Sequence, residues 1–388
     1  MDVHALNLRH VEAVAAVEEA GSIAAAVRRV NLSQPAITQG LARLEVQLGV
    51  RLFDRTPAGM LATDAGRRFA ERARQAQRLL QDRRVTMTQI VAFQALARSG
   101  SYPAAAAATG LRPPSLHRAI RDLALNVGAP LLERRGRGVL LTHRGLALVT
   151  QVGLAVAELR SALSEIAGPA AQEERDIAVG AMPLSRARLL PNAIGALHAA
   201  MPDLRFRVVE GSRSELIGPL RAGELDLIVG ALRPAVKEPD LVETALFEDR
   251  PIVVGRRDHP LSGRSGAAGA GEMARFGWIV SGPGTPLRQQ WQSLFAAEGR
   301  EVPASPVECG SMLIIRQLLL GSNLLSLVSR DQVALELDSG ILIEVGATRG
   351  LSRTIGLTWR VDWRPTAAQA AFIARLRAEA GDTIRKDE

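Results

Sequence analysis

The chain has 388 residues, of which 47% are hydrophobic, 23% charged and 3% aromatic, with one cysteine; this is the make-up of about two to four ordinary globular domains and excludes a disulfide scaffold, a collagen-like repeat or an extensively disordered chain. Its net charge of +8 is unevenly placed, because residues 1–167 carry 22 Arg, no Lys and 13 acids while residues 168–388 balance 26 bases against 27 acids. A basic front half joined to a near-neutral rear half implies a polyanionic partner for the first and a separate task for the second. The stretches Leu225–Leu232 and Met312–Val328 are interrupted by Asp226, Arg316, Gln317 and Asn323, so no membrane span is expected. His4, Arg9, His10 and Glu12 precede any apolar run, which is not the pattern of a signal peptide, and a reducing cytoplasm is the expected location.

The front half contains a gapless internal repeat at an offset of 79 positions, from Leu8/Met87 to about Phe69/Leu148. Identical pairs include Gly21/Gly100, Ser22/Ser101, Ala25/Ala104, Pro35/Pro114, Leu44/Leu123, Gly49/Gly128, Arg55/Arg134, Thr63/Thr142 and Gly66/Gly145. In the first copy the spacing predicts a helix over Leu8–Glu19 ending at Gly21, then a short helix capped by Ser22 and running to Val30. Asn31 and Leu32 turn the chain, and Ser33 is placed to cap a helix to Leu48, with Gln34 and Pro35 in its first turn. Two helices across a tight turn make a helix-turn-helix. Gln34, Thr38, Gln39 and Arg43 fall on the face away from Ile37, Leu41 and Leu44, and offer amide, hydroxyl and guanidinium groups to base edges and phosphates. Leu52–Arg55 and Met60–Thr63 flank Pro57–Gly59 and predict a two-stranded wing whose Arg55 approaches the DNA backbone. A three-helix unit that only packs is the competing reading.

At these residues the chain resembles a known family. Ala25-Ala26, Leu32-Ser33-Gln34-Pro35-Ala36-Ile37-Thr38, Leu44-Glu45, Leu48-Gly49, Leu52-Phe53-Asp54-Arg55 and Thr63-Asp64-Ala65-Gly66 are similar to the LysR-type transcriptional regulators. The resemblance implies an N-terminal winged helix-turn-helix, a long dimerising linker helix and a two-lobed effector domain like the periplasmic binding proteins. The fold class expected is thus multidomain, with two α-rich winged helix-turn-helix domains followed by a two-lobed α/β domain. Members normally carry one winged domain, and here the resemblance occurs twice, over 8–69 and 87–148.

The second copy departs from the first. Its turn reads Leu111-Arg112-Pro113-Pro114-Ser115-Leu116-His117-Arg118, so Arg112 and Pro113 stand where Ser33 and Gln34 stood. Arg118, Arg121, Arg134, Arg135 and Arg137 still present a cationic surface, with Arg112 and Ser115 beside them as further DNA contacts, and phosphate contacts need only charge and position. Three readings stay open: a second DNA-reading head, a phosphate-holding or dimerising module, and a structural relic.

Leu146, Val149, Val152, Val156, Leu159, Leu163 and Ile166 then recur at three- and four-residue steps, an apolar stripe that needs a partner. By resemblance the helix 142–167 dimerises the protein, as a dimer or tetramer; core packing within one chain is the alternative. A shorter helix, Gly66–Leu80, joins the two heads, and Pro169–Glu174 reads as a hinge. The expected domains are 1–83, 84–168 and 169–388.

The remainder alternates strand-like and helix-like runs. Ile177–Ala181, a helix to Met201, Phe206–Glu210, a helix to Ala222 and Asp226–Ala231 begin lobe one, expected over about 175–256 and 345–388 and closed by a helix from Thr366 to Glu379. Gly277–Ser281, a helix from Thr285, Val307–Cys309, a helix from Ser311 and Leu324–Val328 form lobe two, expected over about 257–344. Three strand-to-helix junctions carry Ser185, Ser281 with Thr285, and Ser311 with Met312. Helix N-termini hold anions, so their convergence would bind a small organic acid; Arg288 could assist a carboxylate, with a solvated face as the favoured reading of that residue. Each hydroxyl is also a simple helix cap on its own.

Enzymatic chemistry finds little support. The six His at 4, 10, 117, 143, 198 and 259 lack metal-ligand spacing, and Cys309 sits in an apolar strand. Gly211-Ser212-Arg213 is no nucleophile elbow, and Gly282-Pro283-Gly284-Thr285 lacks the ending of a phosphate-binding loop. No metal and no cofactor are expected. The alternative is a solute-binding or enzymatic α/β protein with a non-specific nucleic-acid-binding front; the preferred reading is a promoter- or operator-binding regulator of double-stranded DNA, controlled by a small-molecule effector.

Overall fold

A computed structural model describes the chain apart from residues 1, 58, 82–84, 137, 167–175, 234–237, 264–265, 347, 349 and 388. Arg137 and the expected hinge Pro169–Glu174 therefore lie outside the described residues. The first head consists of α1 (Leu8–Ala20), α2 (Ile23–Val27), α3 (Gln34–Leu48), a wing of β1 (Phe53–Thr56) and β2 (Gly59–Ala62), and the exit helix α4 (Asp64–Leu80). Asn7, Ser22, Ser33 and Thr63 start these helices, each side chain accepting a hydrogen bond from a first-turn backbone N–H. α1 and α3 stop at Gly21 and Gly49, both in the left-handed conformation that ends a helix.

The second head follows the same order: α5 (Met87–Ser99), α6 (Tyr102–Thr109), α7 (Pro113–Val127), β3 (Leu132–Arg135), β4 (Gly138–Leu141) and α8 (His143–Ile166). α5, α7, β3 and β4 begin and end 79 residues after α1, α3, β1 and β2. In both heads the wing is tied to the turn behind the first helix, with Met60 N–H donating to Gly21 O and Val139 N–H to Gly100 O, each at 2.9 Å. Gly66 and Gly145 mark a second shared joint. A Cβ at Gly66 would lie 1.9 Å from the Leu52 carbonyl oxygen, and one at Gly145 2.1 Å from that of Leu131; only a bare backbone lets the exit helix touch the strand.

The exit helices lie along each other. Phe69, Ala70, Ala73, Ala76 and Leu80 of α4 and Val152, Val156, Leu159, Leu163 and Ile166 of α8 are buried in one continuous core, which also holds Ile37 and Leu44 of the first head and Ile90 and Leu123 of the second. From Val152 onward the stripe expected to dimerise the protein through residues 142–167 is covered by the chain's own α4, as the alternative of core packing within one chain had it, whereas Leu146 stays exposed; over that covered part the dimer expectation is corrected. Duplication supplies the reason: the first copy brings its own exit helix, and small Ala73 and Ala76 let α8 approach closely. α8 is also long and apolar enough, by length and composition, to cross a membrane, which the sequence reading overlooked; its burial against α4 accounts for that apolarity.

A buried cation sits in this helix pair. The Arg72 side chain is only 7% exposed; its Nη1 donates to Glu158 Oε2 at 2.9 Å and its Nη2 to Glu165 Oε1 at 2.5 Å. Burial works against the charge, but the bonds to Glu165 and Glu158 outweigh it and hold the guanidinium pKa above its ordinary value. Nη2 also donates to the carbonyl of Arg364 at 3.1 Å, and Arg364 pairs with Glu71, so the helix pair is seated on the α/β half.

That half is built of two sheets with matching order. Lobe one has β5 (Asp176–Ala181), α9 (Leu189–Ala200), β6 (Arg205–Glu210), α10 (Arg213–Arg221), β7 (Leu227–Ala231) and β8 (Leu241–Asp249), and later β14 (Arg353–Arg360) and α15 (Ala367–Asp387). Lobe two has β9 (Pro251–Arg256), α11 (Ala270–Met273), β10 (Trp278–Val280), α12 (Pro286–Ala296), β11 (Val307–Glu308), α13 (Met312–Leu320), β12 (Leu325–Ser329), α14 (Ala334–Asp338) and β13 (Leu342–Gly346). The strand orders are β6-β5-β7-β14-β8 and β11-β10-β12-β9-β13; in each, four strands share one direction and one strand, β14 or β9, runs antiparallel between two of them. In lobe two, alternation sends Val253 and Trp278 into one core and Val254 and Ile279 into another, so both faces are covered.

The chain crosses between sheets at Arg250, not near Arg256, because β8 runs straight into β9 without a helix to mark the change. It returns after Gly346, beside the expected Val345. Both crossings meet on buried Asp249, which accepts hydrogen bonds from Ser329 Oγ and, at 2.7 Å, from Arg353 Nε. Arg188 and Asp331, 3.0 Å apart, add a second tie between lobes.

Candidate nucleic-acid interface and effector site

Helix α3 is two-faced. Ile37, Leu41 and Leu44 are buried, whereas Ser33, Gln34, Pro35, Gln39 and Arg43 are exposed and Thr38 is half-buried. The Thr38 hydroxyl donates to Gln34 O at 3.0 Å, leaving its oxygen free to accept. His10 packs over Gly40, and burial, with help from Arg43, holds its pKa below the ordinary value. Arg55 is exposed on the wing.

Sequence reasoning gave Glu45 no role, yet it fixes the wing. Its Oε1 accepts from Leu52 N at 2.8 Å and Phe53 N at 3.1 Å, so the carboxylate holds the first wing strand against α3. The equivalent residue in the second head is Ala124, which offers no acceptor. The signal was the Leu44-Glu45 pair, readable only as a resemblance.

The second head has different chemistry on the same frame. Gln34 is matched by Pro113, Thr38 by His117, Gln39 by Arg118, Ala42 by Arg121 and Arg43 by Asp122. Arg112, Ser115, Arg118, Arg121 and Arg134 are all exposed. His117 stacks on Tyr102 with centroids 3.9 Å apart, beside a shallow cavity of about 530 Å³ lined by Arg118, Arg121 and Pro114. Burial raises the Tyr102 pKa, partly offset by Arg134.

As the sequence implied, Arg112 makes no side-chain cap for α7, whereas Ser33 Oγ accepts from Ala36 N at 3.4 Å. Arg112→Ser is expected to stabilise the chain by about 1 kcal/mol in urea unfolding, and Ser33→Ala to lose a similar amount. An Arg112→Ala chain as stable as Arg112→Ser would show that serine makes no cap there.

Among the effector candidates, the structure joins two junctions and removes the third. β10 and β11 pair in parallel, Val280 opposite Glu308, so the chain leaves them side by side for α12 and α13. Ser281 Oγ lies 2.9 Å from Thr285 Oγ1, which accepts from Arg288 N at 3.2 Å to cap α12. Arg288 lies over the Trp291 ring, 4.8 Å from its centroid, with Nη1 3.9 Å from Glu308. Ser311 is exposed at the start of α13 and makes no side-chain cap; Met312 is half-buried. Ser185, by contrast, is fully buried in a 3-10 turn, and its hydroxyl donates to Met182 O at 2.8 Å. Its expected place at an open helix N-terminus is corrected. Cys309 falls just past β11 rather than within it, half-buried against the lobe-two core.

Among the described residues, no group of three or more His, Cys, Asp or Glu could hold a metal. Residues 8–67 and 87–146 each match the model of the bacterial regulatory helix-turn-helix protein of the lysR family, and residues 170–381 match the LysR substrate binding domain. The HTH-type transcriptional regulator GalR of Pseudomonas putida is 32% identical over 97% of this chain and 98% of its own length. The HTH-type transcriptional regulator PcaQ of Agrobacterium fabrum is 28% identical over 78% of this chain and 97% of its own. A full-length OxyR cysteine variant from Pseudomonas aeruginosa has a similar fold, with a TM-score of 0.56 at 22% identity, covering 76% of this chain and 93% of that one. With two helix-turn-helix matches ahead of an effector-binding domain and a relative matched along nearly its whole length, the chain belongs to the LysR family of DNA-binding transcription regulators, which are not enzymes.

Proposed function

We propose that the two heads divide the work on DNA: the first reads base edges through Gln34, Thr38, Gln39 and Arg43, while the second holds phosphates through Arg112, Ser115, Arg118, Arg121 and Arg134. The observation that carries this reading is the change of chemistry at matched positions, amide and hydroxyl on α3 against arginine and proline on α7. Amides discriminate bases, whereas guanidinium groups at any phosphate add affinity without sequence. Gln34→Ala is expected to reduce the ratio of specific to random binding about tenfold. Arg118→Ala is expected to weaken both alike and to lower the salt dependence by about one ion. Equal losses on specific and random DNA for both variants in a salt titration would refute the division.

The effector in this reading is a small organic acid bound at the joined junctions of lobe two. Ser281, Thr285, Ser311 and Met312 line it, amides of α12 and α13 supply donors, and the acid displaces Glu308 as the anion beside Arg288. The lobes then shift against each other about the Asp249 junction and change how the heads engage DNA. At a hundredfold excess over its Kd the ligand is expected to add about 2.7 kcal/mol of stability. A panel of small carboxylic acids screened by thermal unfolding measures this. A shift that persists in Thr285→Val and Ser311→Ala would place the site elsewhere. The chain is assigned to the cytoplasm, where its DNA is.

A further inference from the structure

We propose that one chain is by itself a complete two-headed DNA clamp, in which the unlike heads of a single polypeptide engage the two halves of one asymmetric DNA site. The inference rests on the reading above that both heads touch DNA, and it adds which heads act together. Three observations carry it. The heads share one uninterrupted core through α4 and α8, in which Phe69, Ala73, Ala76 and Leu80 of the first exit helix and Val152, Val156, Leu159 and Leu163 of the second already cover each other. The seam is sealed by Arg72 of the first copy bonded to Glu158 and Glu165 of the second; a buried ion pair fixes which surfaces meet, because a misplaced partner leaves a charge without a counterion. The N-terminal turn Val3–Ala5 lies against α5 and α8, and buries Val3 and Leu6 in the common core.

The occupant follows from the chemistry of the two surfaces. A pair made of identical subunits presents the same face twice and fits a palindrome. Here one face offers Gln34, Gln39 and Arg43 and the other Arg118, Arg121 and Arg134 on the same helical frame. The matching ligand is a duplex with one half-site defined in sequence and a neighbouring half-site defined only by its backbone.

Two measurements on the full chain test this, using the segment it protects at the promoter beside its own gene. In the first, a short duplex holding one protected pair of half-sites is titrated with unmodified protein well above the Kd. Equivalence at one chain per duplex is expected, and two chains per duplex would overturn the proposal. In the second, a chain with Gln34→Ala and Arg43→Ala is co-expressed with one carrying Arg118→Ala, Arg121→Ala and Arg134→Ala. All five substitutions are exposed and leave the core intact. Each variant alone is expected to bind at least about tenfold more weakly than the parent. The co-expressed mixture is expected to show no recovery; return of parental affinity in a fraction of the mixture would mean that heads pair between chains. Should the triple arginine variant alone bind like the parent, the phosphate-holding role fails, while the stoichiometry still decides the pairing.

Discussion

Arg72→Ala is expected to destabilise the chain by about 3–5 kcal/mol, the size of effect seen when one member of a buried ion pair is removed and its partners stay behind. Glu158 and Glu165 would then face each other at 13% and 19% exposure without their cation. Urea unfolding of the intact chain measures the loss. Replacing all three residues by leucine is expected to recover most of it, because an apolar seam needs no counterion. The damage should spread beyond the heads, since the Arg364 carbonyl of the α/β half also loses its donor. A loss below about 1 kcal/mol would show that water reaches the seam and that the pair behaves as a surface salt bridge.

Gly66→Ala carries the second large effect, about 3 kcal/mol, at the upper end of overpacking. The obstructing atom is the Leu52 carbonyl oxygen, 1.9 Å from the new methyl, and backbone cannot rotate aside as a side chain can. Either α4 or the start of the wing must shift, so DNA affinity falls with stability. Gly195→Ala, inside α9 with nothing within 4 Å, is the control, and is expected to be neutral or to gain up to about 1 kcal/mol. Equal thermal unfolding of the two variants would remove the clash as the reason for glycine at position 66.

What was legible in the sequence follows local rules. Caps at Ser22 and Ser33, stops at Gly21 and Gly49 and the apolar spacing of Ile37, Leu41 and Leu44 depend on neighbours a few residues away, and they lie where the residues placed them, although the helix after Ser22 stops at Val27 rather than Val30. The stripe on α8 was legible as a surface needing a partner, but periodicity does not name the partner, and Phe69 to Leu80 of the same chain fill it. β8 and β9 escaped because a lone Arg250 separates strands that belong to different sheets. Ser185 looked like its counterparts Thr285 and Ser311 in sequence, yet its backbone turns into a 3-10 segment and takes the hydroxyl inward. Glu45 reaches Leu52 and Phe53 across a turn, a contact that no spacing rule anticipates.

The in-chain packing of α4 on α8 also changes how the regulator responds to dilution. Two separate subunits find each other by mass action, so their paired form vanishes as protein becomes scarce. Tethered through the short segment 81–86, the heads face each other at an effective concentration on the order of millimolar. Pair formation then does not depend on how many copies the cell makes. With one chain filling one site, as proposed above, occupancy of the DNA rises at low expression in simple proportion to the amount of protein, rather than with its square.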